Sequence, residues 1–253
     1  PPAGKAGIRR QMEQLKREYE KQDRMRRDFT ANVSHELKTP LTSISGYAEI
    51  IREGMVKSED VGRFAGKIYE EAQRLITLVE DILNLSHLDE GAPGQERRQG
   101  IDLYALCERA VASLAEAARQ RGIAISLTGS RQRVDGAEKL LAEIIFNLCD
   151  NAIKYNQENG HVAVSVTREG DRVVLTVQDT GIGIPPGETD RVFERFYRVD
   201  KSHSKEIGGT GLGLSIVKHA AAYHDAKIQL DSQLGRGTRV RVLFPLSQRE
   251  AQP

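Results

Sequence analysis

The sequence predicts a multidomain protein of the α and α+β classes, in which a helical hairpin is followed by an α/β sandwich. Three observations predict it. Apolar residues recur in alternating steps of four and three along two segments that precede residue 90. Residues 90–101 (EGAPGQERRQGI) combine glycine, proline and charge, as linkers do. The remainder alternates helix-like and strand-like patterns, which is typical of a mixed sheet covered by helices on one face.

The first segment predicts a long helix. Ile8, Met12, Leu15 and Tyr19 follow the seam of a coiled coil, and charged residues fill the positions between them. The seam then becomes polar for a short distance, and apolar residues return to it between 29 and 51.

A second helix with its own apolar seam is expected from Val61 to Ile82, after Gly54 has ended the first. The two helices together predict an antiparallel hairpin. A hairpin of two helices cannot enclose its own apolar stripe. Because pairing with a second copy as a four-helix bundle covers both stripes, we expect a homodimer.

Capping and glycine signals bound the helices of the second part. Asp102 is a suitable N-cap for a helix that Gly122 ends. Asp135 and Glu138 resemble a capping box at the start of a helix that reaches Tyr155.

Strands in the second part are predicted by alternating apolar residues at 123–127, 162–166, 173–177, 228–230 and 240–244. Glu169 and Gly170 predict a hairpin turn between the second and third of them. A helix is expected after Gly211, before the last two strands.

Composition excludes some classes of function. Formal net charge is +1, from 37 Lys and Arg against 36 Asp and Glu, so nothing indicates a nucleic-acid or membrane surface as partner. Cys107 and Cys149 lie far apart in helical apolar patterns, which favours core thiols over a disulfide or metal site. No stretch approaches the roughly 20 apolar residues of a membrane helix, and no signal peptide is present. Because the chain starts at Pro1, we expect a fragment, with any membrane anchor lying before it.

The first chemical motif is residues 34–40 (SHELKTP). His35 stands two residues from both Val33 and Leu37, which face the bundle. Two residues turn a helix by about 200°, so His35 should point to water. Neutral imidazole has a lone pair near pH 7, and Glu36 is placed to hold one ring nitrogen as a donor while the other attacks phosphorus. The alternative is an ordinary solvated histidine.

The second motif is residues 147–155 (NLCDNAIKY). Glu143, Asn147, Asn151 and Lys154 recur in steps of 4, 4 and 3 on one polar face of a helix. Amide oxygens, a carboxylate and a lysine suit Mg²⁺ and phosphate oxygens. The alternative is a solvated helix face, although Asn is a poor helix former and two of them count against it.

Two glycine motifs complete the set. Residues 179–185 (DTGIGIP) follow a strand; their glycines allow close approach to a flat ligand, and Asp179 could accept a hydrogen bond from the adenine amine. Residues 208–214 (GGTGLGL) open a helix and offer backbone N–H groups to a triphosphate. Their spacing fits neither a P-loop nor a dinucleotide-binding fingerprint. A D-x-G-x-G pattern taken alone is more often an ordinary turn.

The segment between the two glycine motifs, residues 186–207, has the length and glycine flanks of a lid. Arg195 or Arg198 could reach a γ-phosphate as a charge clamp. The alternative is packing by Phe193 and Phe196 with solvated charges around them.

The order and spacing of these motifs resemble the sensor histidine kinases of bacterial two-component systems, over residues 25 to 246. The segments similar to the family's H, N, G1, F and G2 boxes are 29–51, 143–155, 179–185, 193–198 and 208–214. Each motif alone is a moderate signal, whereas the ordered set is specific.

The resemblance implies a dimeric hairpin that carries the phosphoacceptor His35, followed by a Bergerat-type ATP-binding domain. It implies ATP and Mg²⁺ as cofactors and the receiver domain of a response regulator as partner. Glu36 would assist phosphoryl transfer. Thr39 would orient water for dephosphorylating the regulator, which makes the kinase also a phosphatase.

In the ATP-binding domain, the resemblance implies that Asn147 ligates Mg²⁺ and that Asn151 and Lys154 contact phosphates. Tyr155 would lie near the adenine or ribose, and Asp179 would read the adenine amine. The other nucleotide-binding residues expected are Gly181, Gly183, Arg195, Arg198, Gly209, Thr210, Gly211, Leu212 and Gly213.

The implied organisation begins with a coiled-coil signal helix (1–28) and a phosphotransfer hairpin (29–89). A linker (90–101), a catalytic domain (102–248) and a tail (249–253) follow. The chain is expected to be the cytoplasmic portion of an inner-membrane sensor protein. His87, His161, His203 and His219 match no acceptor motif and are expected to be structural or surface residues.

Two places depart from the family pattern. Residues 224–226 (HDA) stand where such proteins often have His-Gly-Gly, and residues 156–158 (NQE) replace the more usual Thr-Pro.

Two rival functions are left open by the sequence. One is an ATPase with the same nucleotide-binding fold, as in the chaperone, gyrase and mismatch-repair relatives, which lack a His-bearing hairpin. The other is a degenerate kinase that serves as a dimeric scaffold, against which the intact Asp179, Asn147 and glycines argue.

Overall fold

The structure is a computed structural model that describes residues 3–89, 96–199 and 209–247. It divides into two compact units, Pro1–Leu78 and Val79–Pro253. The predicted linker at 90–101 therefore differs from this division, because the last turns of the second helix make their contacts with the second unit. Residues 90–95, 200–208 and 248–253 lie outside the described part of the chain. They include part of the predicted linker, the end of the predicted lid with His203, and the whole predicted tail.

The first unit is the predicted hairpin. Helix α1 covers Ala3–Arg52, a short 3-10 turn covers Ser58–Asp60, and helix α2 covers Val61–Asp89 and continues into the second unit. Gly54 adopts φ +68° after α1, the left-handed conformation that favours glycine at a helix end. Among the described helices, none is long and apolar enough to cross a membrane.

The second unit adds strands and helices in the alternation that the sequence predicts. Its described elements are β1 (Arg97–Asp102), α3 (Leu103–Gln120), β2 (Ala124–Gly129), β3 (Arg133–Ala137), α4 (Glu138–Lys154), β4 (His161–Glu169), β5 (Arg172–Asp179), α5 (Gly213–Tyr223), β6 (Lys227–Gln233) and β7 (Gly237–Pro245).

The main sheet has the order β2-β4-β5-β7-β6. Strands β2 and β4 are parallel, and the other neighbours are antiparallel. Alternate residues of β4 and β7 enter the core, and Val164, Leu175 and Val242 are fully buried. Helix α4 contacts both α3 and α5, and all three pack against the sheet. The predicted fold class, a hairpin followed by an α/β sandwich, is confirmed.

Two local predictions are wrong. Residues 97–101 are not linker but form β1, which pairs antiparallel with β3. Asp135 is not part of a capping box, because it lies inside β3 and the N-cap of α4 is Ala137, without a side-chain cap. The Asp135 carboxylate instead accepts hydrogen bonds from Gly100 N at 2.8 Å and from Ser247 Oγ at 2.6 Å. It therefore ties β1 and the chain after β7 to β3.

Other end signals are confirmed. The Asp102 carboxylate accepts a hydrogen bond from Ala105 N at 3.0 Å, as an N-cap does. Gly122 follows α3 with φ +68°. Both cysteines are buried free thiols, and burial raises the pKa of Cys149 to about 12.

His224 is a buried polar residue, with 1% of its surface exposed, that joins the end of α5 to the start of α4. Its Nδ1 lies 2.6 Å from Ala220 O and its Nε2 accepts a hydrogen bond from Ala137 N at 3.1 Å. Both contacts are satisfied by one neutral tautomer, with the proton on Nδ1. Gly136 provides the space, because a Cβ there would stand 2.1 Å from the ring. Burial lowers the pKa of His224.

We expect the protonation of His224 to destabilise the second unit in acid. Because its pKa is lowered in the folded state, the unfolded state binds more protons below about pH 6.5, so this group's stabilisation is full above that pH and falls as pH decreases. The measurement is urea unfolding of wild type and His224→Gln at pH 7.5 and 5.5. The stability difference between the two proteins should narrow at pH 5.5, since the other titrating groups are common to both. An equal difference at both pH values would contradict a buried neutral imidazole.

Candidate functional site

His35 projects from α1 into solvent, as its helical position predicts. Its side chain is 79% exposed, whereas Val33 and Leu37 are half-buried. The Glu36 carboxylate lies beside the ring, with Oε1 3.6 Å from Nδ1. This distance is longer than a hydrogen bond, so a small movement of either side chain is needed before Glu36 accepts the Nδ1 proton.

The helix turn after His35 is weakened by Pro40. Proline has no N–H, so the carbonyl of Glu36 loses the hydrogen bond that residue 40 would donate in a regular helix. The Thr39 hydroxyl donates to His35 O at 3.2 Å. Thr39 therefore lies one turn after His35 on the same side of α1, and its side chain is exposed.

In the second unit, the asparagine motif and both glycine motifs converge on the polar face and C-terminal end of α4. The Tyr155 carbonyl accepts a hydrogen bond from Ile182 N at 3.0 Å. A Cβ on Gly181 would stand 2.2 Å from that carbonyl oxygen, and a Cβ on Gly213 would stand 2.8 Å from Asn147 Oδ1. At Gly181 the collision is with backbone, so only glycine allows that approach, whereas at Gly213 a Cβ would require the Asn147 side chain to move. The three motifs thus meet in one pocket.

The polar face of α4 lines this pocket. Asn147 Nδ2 donates to Glu143 O at 2.9 Å, which leaves Oδ1 directed toward the start of α5. Asn151 lies one turn later, and its Nδ2 is 3.7 Å from the point where a Cβ on Gly213 would stand. Glu143 Oε2 is buried and accepts no hydrogen bond from any described residue, and burial raises the pKa of this carboxyl. An orphaned acceptor of this kind indicates a cation or a donor that binds here.

Lys154 ends the polar face. Its Nζ lies 2.6 Å from Asp150 Oδ2, and both side chains are mostly buried. Asp150 is a residue that the sequence interpretation passed over, although its i,i+4 spacing from Lys154 was a readable signal. The carboxylate thus holds the ammonium at the C-terminal end of α4.

Asp179 stands at the end of β5 and is held by backbone. Its Oδ1 accepts hydrogen bonds from Gly181 N at 2.8 Å and from Thr238 N at 3.1 Å. Burial raises the pKa of this carboxyl, and the two N–H groups oppose that rise. Its Oδ2 accepts no hydrogen bond from the described residues, so one carboxylate oxygen is available to a ligand donor. Gly183, with φ +66°, packs against Gln233 O and braces the same loop.

The two candidate arginines differ in position. Arg198 lies at the pocket, since a Cβ on Gly209 would stand 3.8 Å from its Nη2 and 3.0 Å from the Tyr155 hydroxyl. Burial raises the pKa of Tyr155, and the nearby charge of Arg198 opposes that rise. Arg195 is instead bound by Asp89, with Nη2 2.6 Å from Oδ1, and lies 3.2 Å from His219 Nε2. The geometry therefore favours Arg198 over Arg195 as the clamp.

The second glycine motif forms a tight turn before α5. Gly208 lies outside the described residues; Gly211 has φ +74° and Leu212 is fully buried. Gly211 O accepts a hydrogen bond from Phe196 N at 2.9 Å, and Phe196 itself has φ +61°. A non-glycine residue held in this conformation indicates that the segment containing Phe196 is fixed against the turn.

Two acidic residues at the end of α2 belong to the same unit and were missed by sequence reasoning. Asp81 Oδ2 accepts a hydrogen bond from Thr210 Oγ1 at 2.6 Å, and burial raises the pKa of Asp81. Asp89 binds Arg195 and lies 3.4 Å from His219 Nε2. No local pattern could reveal these contacts, because the partners are more than 100 residues apart in the chain.

Comparisons with known proteins agree with this architecture. A family model described as "His Kinase A (phospho-acceptor) domain" matches residues 25–91. A second, described as "Histidine kinase-, DNA gyrase B-, and HSP90-like ATPase", matches residues 136–248. The two matches fall on the hairpin that carries His35 and on the part that carries the pocket.

Individual relatives extend the match along the chain. The "Sensor-like histidine kinase SenX3" of Mycolicibacterium smegmatis is 40% identical over 229 residues, which are 90% of this chain and 59% of that protein. The chain spans between 56% and 59% of the length of the SenX3 relatives it matches.

Solved structures show the same fold. ShkA in complex with AMPPNP has a TM-score of 0.63 and 27% identity, covering 87% of this chain and 46% of that one. The structure of ThkA with the response regulator TrrA has a TM-score of 0.70 and 22% identity, covering 92% of this chain and 67% of that one.

Gly213→Ala should weaken nucleotide binding without unfolding the protein. The new Cβ would stand 2.8 Å from Asn147 Oδ1, the end of a flexible side chain, so Asn147 moves while the backbone remains. We expect at least a tenfold rise in the dissociation constant for ATP with Mg²⁺, measured by calorimetry. The matched control is Gly66→Ala in α2, where a Cβ meets nothing within 4 Å and alanine favours the helix by about 1 kcal/mol. Unchanged affinity in Gly213→Ala would show that Asn147 plays no part in binding.

Proposed function

This chain belongs to the sensor histidine kinases of two-component systems, and we propose that it moves the γ-phosphoryl group of ATP onto its own His35. The observation that supports the proposal is the presence, in one chain, of an exposed imidazole on α1 and of a glycine-built pocket at the C-terminal end of α4. A bare ATPase with the same nucleotide-binding fold would have no use for the first feature.

The pocket offers a partner for each part of ATP. We assign the adenine amine to Asp179 Oδ2, the available acceptor in a site otherwise closed by backbone. Tyr155 would lie against the adenine or ribose. The N-terminus of α5 and its glycine turn, from Gly209 to Gly213, would bind phosphate oxygens through backbone N–H groups. The AMPPNP bound to ShkA supports a nucleotide in this fold.

Phosphate binding would replace contacts within the protein by contacts to the phosphate oxygens. Lys154, now paired with Asp150, and Thr210, now donating to Asp81, would turn to phosphate oxygens together with Asn151. Arg198 would neutralise the γ-phosphate from the opposite side. We keep Arg195 as a second candidate only if Asp89 releases it.

The donors on α4 fit a magnesium ion. Asn147 Oδ1 points into the pocket, and the orphaned Glu143 Oε2 is an oxygen ligand or outer partner of the kind that Mg²⁺ prefers. When bound, Mg²⁺ would neutralise charge on the β- and γ-phosphates, which is most of what phosphoryl transfer requires. The protein's own part is to hold the nucleotide in place.

At His35, the chemistry needs a neutral ring. Glu36 would accept a hydrogen bond from Nδ1–H, leaving the Nε2 lone pair to attack the γ-phosphorus. The new N–P bond forms as the bond from phosphorus to the bridging oxygen of ADP breaks. The Nδ1 proton then passes to Glu36 or water, so the phosphohistidine is neutral at that ring.

The hairpin would work as a homodimer. Within the first unit the large apolar residues Leu41, Tyr69 and Ile76 are 49%, 66% and 50% exposed, as expected for a hairpin whose apolar stripe is covered by a second copy. We further propose a response regulator receiver domain as the acceptor of the phosphoryl group, since the structurally similar ThkA was solved with its regulator TrrA. Thr39, exposed beside His35, would orient water in a phosphatase reaction on that regulator.

The proposed organisation keeps 1–28 as a signal helix and 29–89 as the phosphotransfer hairpin. The catalytic domain, expected at 102–248, is extended to begin at 97, because β1 pairs with β3. We propose that the chain acts on the cytoplasmic side as the catalytic part of a membrane sensor. Its buried free thiols suit a reducing compartment, and the matched relatives are named as sensors.

His35→Gln should abolish phosphorylation of the protein by [γ-³²P]ATP, because glutamine keeps the size and polarity of the side chain but has no nucleophilic nitrogen. The wild-type label should be lost in acid and kept in alkali, as expected for a P–N bond. His87→Gln, on α2, is the matched control and should label normally. ATP binding in His35→Gln should equal wild type.

Two outcomes would favour the rivals. Hydrolysis of ATP at an unchanged rate in His35→Gln, with no acid-labile label in wild type, would indicate an ATPase of the gyrase and chaperone type. No measurable affinity of wild type for ATP would indicate a scaffold.

Thr39→Ala should separate the two proposed activities. Autophosphorylation should stay within about twofold of wild type, because Thr39 only donates to a helix carbonyl in the resting chain. Dephosphorylation of a phosphorylated regulator should fall by at least tenfold. Thr39→Ser, which restores the hydroxyl, is the control and should recover most of the rate. A phosphatase rate that alanine leaves intact would remove Thr39 from the reaction.

A further inference from the structure

The segment 155–157, just after α4, runs beside the segment 180–182, just after β5. One backbone hydrogen bond joins them, from Ile182 N to Tyr155 O at 3.0 Å. Two side chains, Asn156 and Gln157, supply the remaining links. These residues stand where the family pattern usually has Thr-Pro.

Asn156 uses both ends of its amide. Its Oδ1 accepts hydrogen bonds from Gln157 N at 3.0 Å and from Thr180 Oγ1 at 3.2 Å. Its Nδ2 donates to His161 O at 3.2 Å. Gly160 makes the room, since a Cβ there would stand 2.1 Å from Asn156 Oδ1. One side chain thus connects the end of α4, the start of β4 and the residue after Asp179.

Thr180 completes this connection. Its hydroxyl accepts a hydrogen bond from His161 N at 2.9 Å while donating to Asn156, and its own N–H donates to His161 O at 3.2 Å. The residue next to Asp179 is therefore fixed by both backbone and side chain.

Gln157 holds the next peptide. Its Nε2 donates to Gly181 O at 3.2 Å, and Gly181 N donates in turn to Asp179 Oδ1 at 2.8 Å. Gln157 therefore restrains the peptide between residues 181 and 182, and Asp179 accepts from the N–H of the preceding peptide, between residues 180 and 181. Gly181 joins these two peptides. Because an N–H direction follows the plane of its peptide, restraining the neighbouring peptides restrains the carboxylate that accepts from them.

We propose that Asn156 and Gln157 are positioning residues for the purine base. They fix Thr180 and Gly181, which fix the direction of the Asp179 carboxylate, and so set the preference for a base with an exocyclic amine over one with an oxygen at that position. A fixed carboxylate accepts from an amine but repels a carbonyl oxygen. The inference rests on the proposed function, since it takes Asp179 as the group that reads adenine.

The test compares ADP with inosine diphosphate, which has a carbonyl oxygen in place of the adenine amine. Each is titrated against a fluorescent ADP analogue bound to the full chain, so that weak binding is also measured. For Asn156→Ala and Gln157→Ala, we expect the dissociation constant for ADP to rise about tenfold. That for inosine diphosphate should change by less than twofold, because it has no amine contact to lose.

Matched variants separate positioning from folding. Glu158→Ala, in the same loop and without a hydrogen bond to any described residue, should keep the wild-type ratio of the two affinities. Thr180→Val removes the other partner of the hydrogen bond between Thr180 and Asn156, so it should weaken ADP binding as Asn156→Ala does. Thr180→Ser restores the hydroxyl and should restore the wild-type ratio of the ADP and inosine diphosphate affinities. If Asn156→Ala fails to fold by circular dichroism, Gln157→Ala and the Thr180 pair carry the test, since their side chains lie at the surface.

Different results would contradict the proposed function and the positioning role of Asn156 and Gln157. Absence of ADP binding by wild type would overturn the proposed function and this inference with it. If wild type binds ADP normally, the positioning role alone would be overturned by either of two results. In one, the variants bind ADP and inosine diphosphate more weakly by the same factor; in the other, neither affinity changes. A selective loss of ADP that serine at 180 restores is the expected result.

Discussion

The pocket depends on how closely two stretches of backbone approach helix α4. Gly181 lies against the Tyr155 carbonyl and Gly213 against the Asn147 amide, each nearer than any side chain permits. A larger residue at 181 would collide with the backbone at the end of the helix and hold the loop after β5 away from it, and one at 213 would displace the Asn147 side chain. The chemistry of the site therefore begins as a steric condition, and the polar side chains act only once it is met.

Much of the fold was predictable because it is encoded locally. Apolar periodicity fixed both hairpin helices and the strands of the main sheet, and the cap at Asp102 needs only the residues that follow it. The errors arose where pairing is distant. Strand β1 reads as a charged linker, because it is stabilised by hydrogen bonds to β3 rather than by its own apolar residues. Asp135 resembled a cap for the same reason: its true partners, Gly100 and Ser247, are remote in sequence.

The functional site shows the same difference between features encoded locally and features that depend on residues distant in the chain. Glycine and asparagine motifs are visible in sequence because each must satisfy a backbone or ligand requirement on its own. The carboxylates that engage the cationic and hydroxyl groups of the site were not visible in this way. Asp81 and Asp89 approach Thr210 and Arg195 only after the chain has folded. Several groups suited to an anion, Lys154, Thr210 and Arg195, are thus paired with carboxylates of the protein. Nucleotide entry on this view is an exchange of partners, whose cost depends on how firmly those carboxylates are held.

Helix α1 runs without interruption for 50 residues, and its one proline lies beyond His35 rather than before it. At 1.5 Å per residue, about 48 Å of unbroken rod separates Ala3 from the reactive ring. A continuous helix of this length can transmit a rotation about its axis as well as a displacement along it. The azimuth of His35 is consequently set by the number of residues upstream. One additional residue swings the imidazole by about 100°, whereas seven bring it back to within about 20° of where it began.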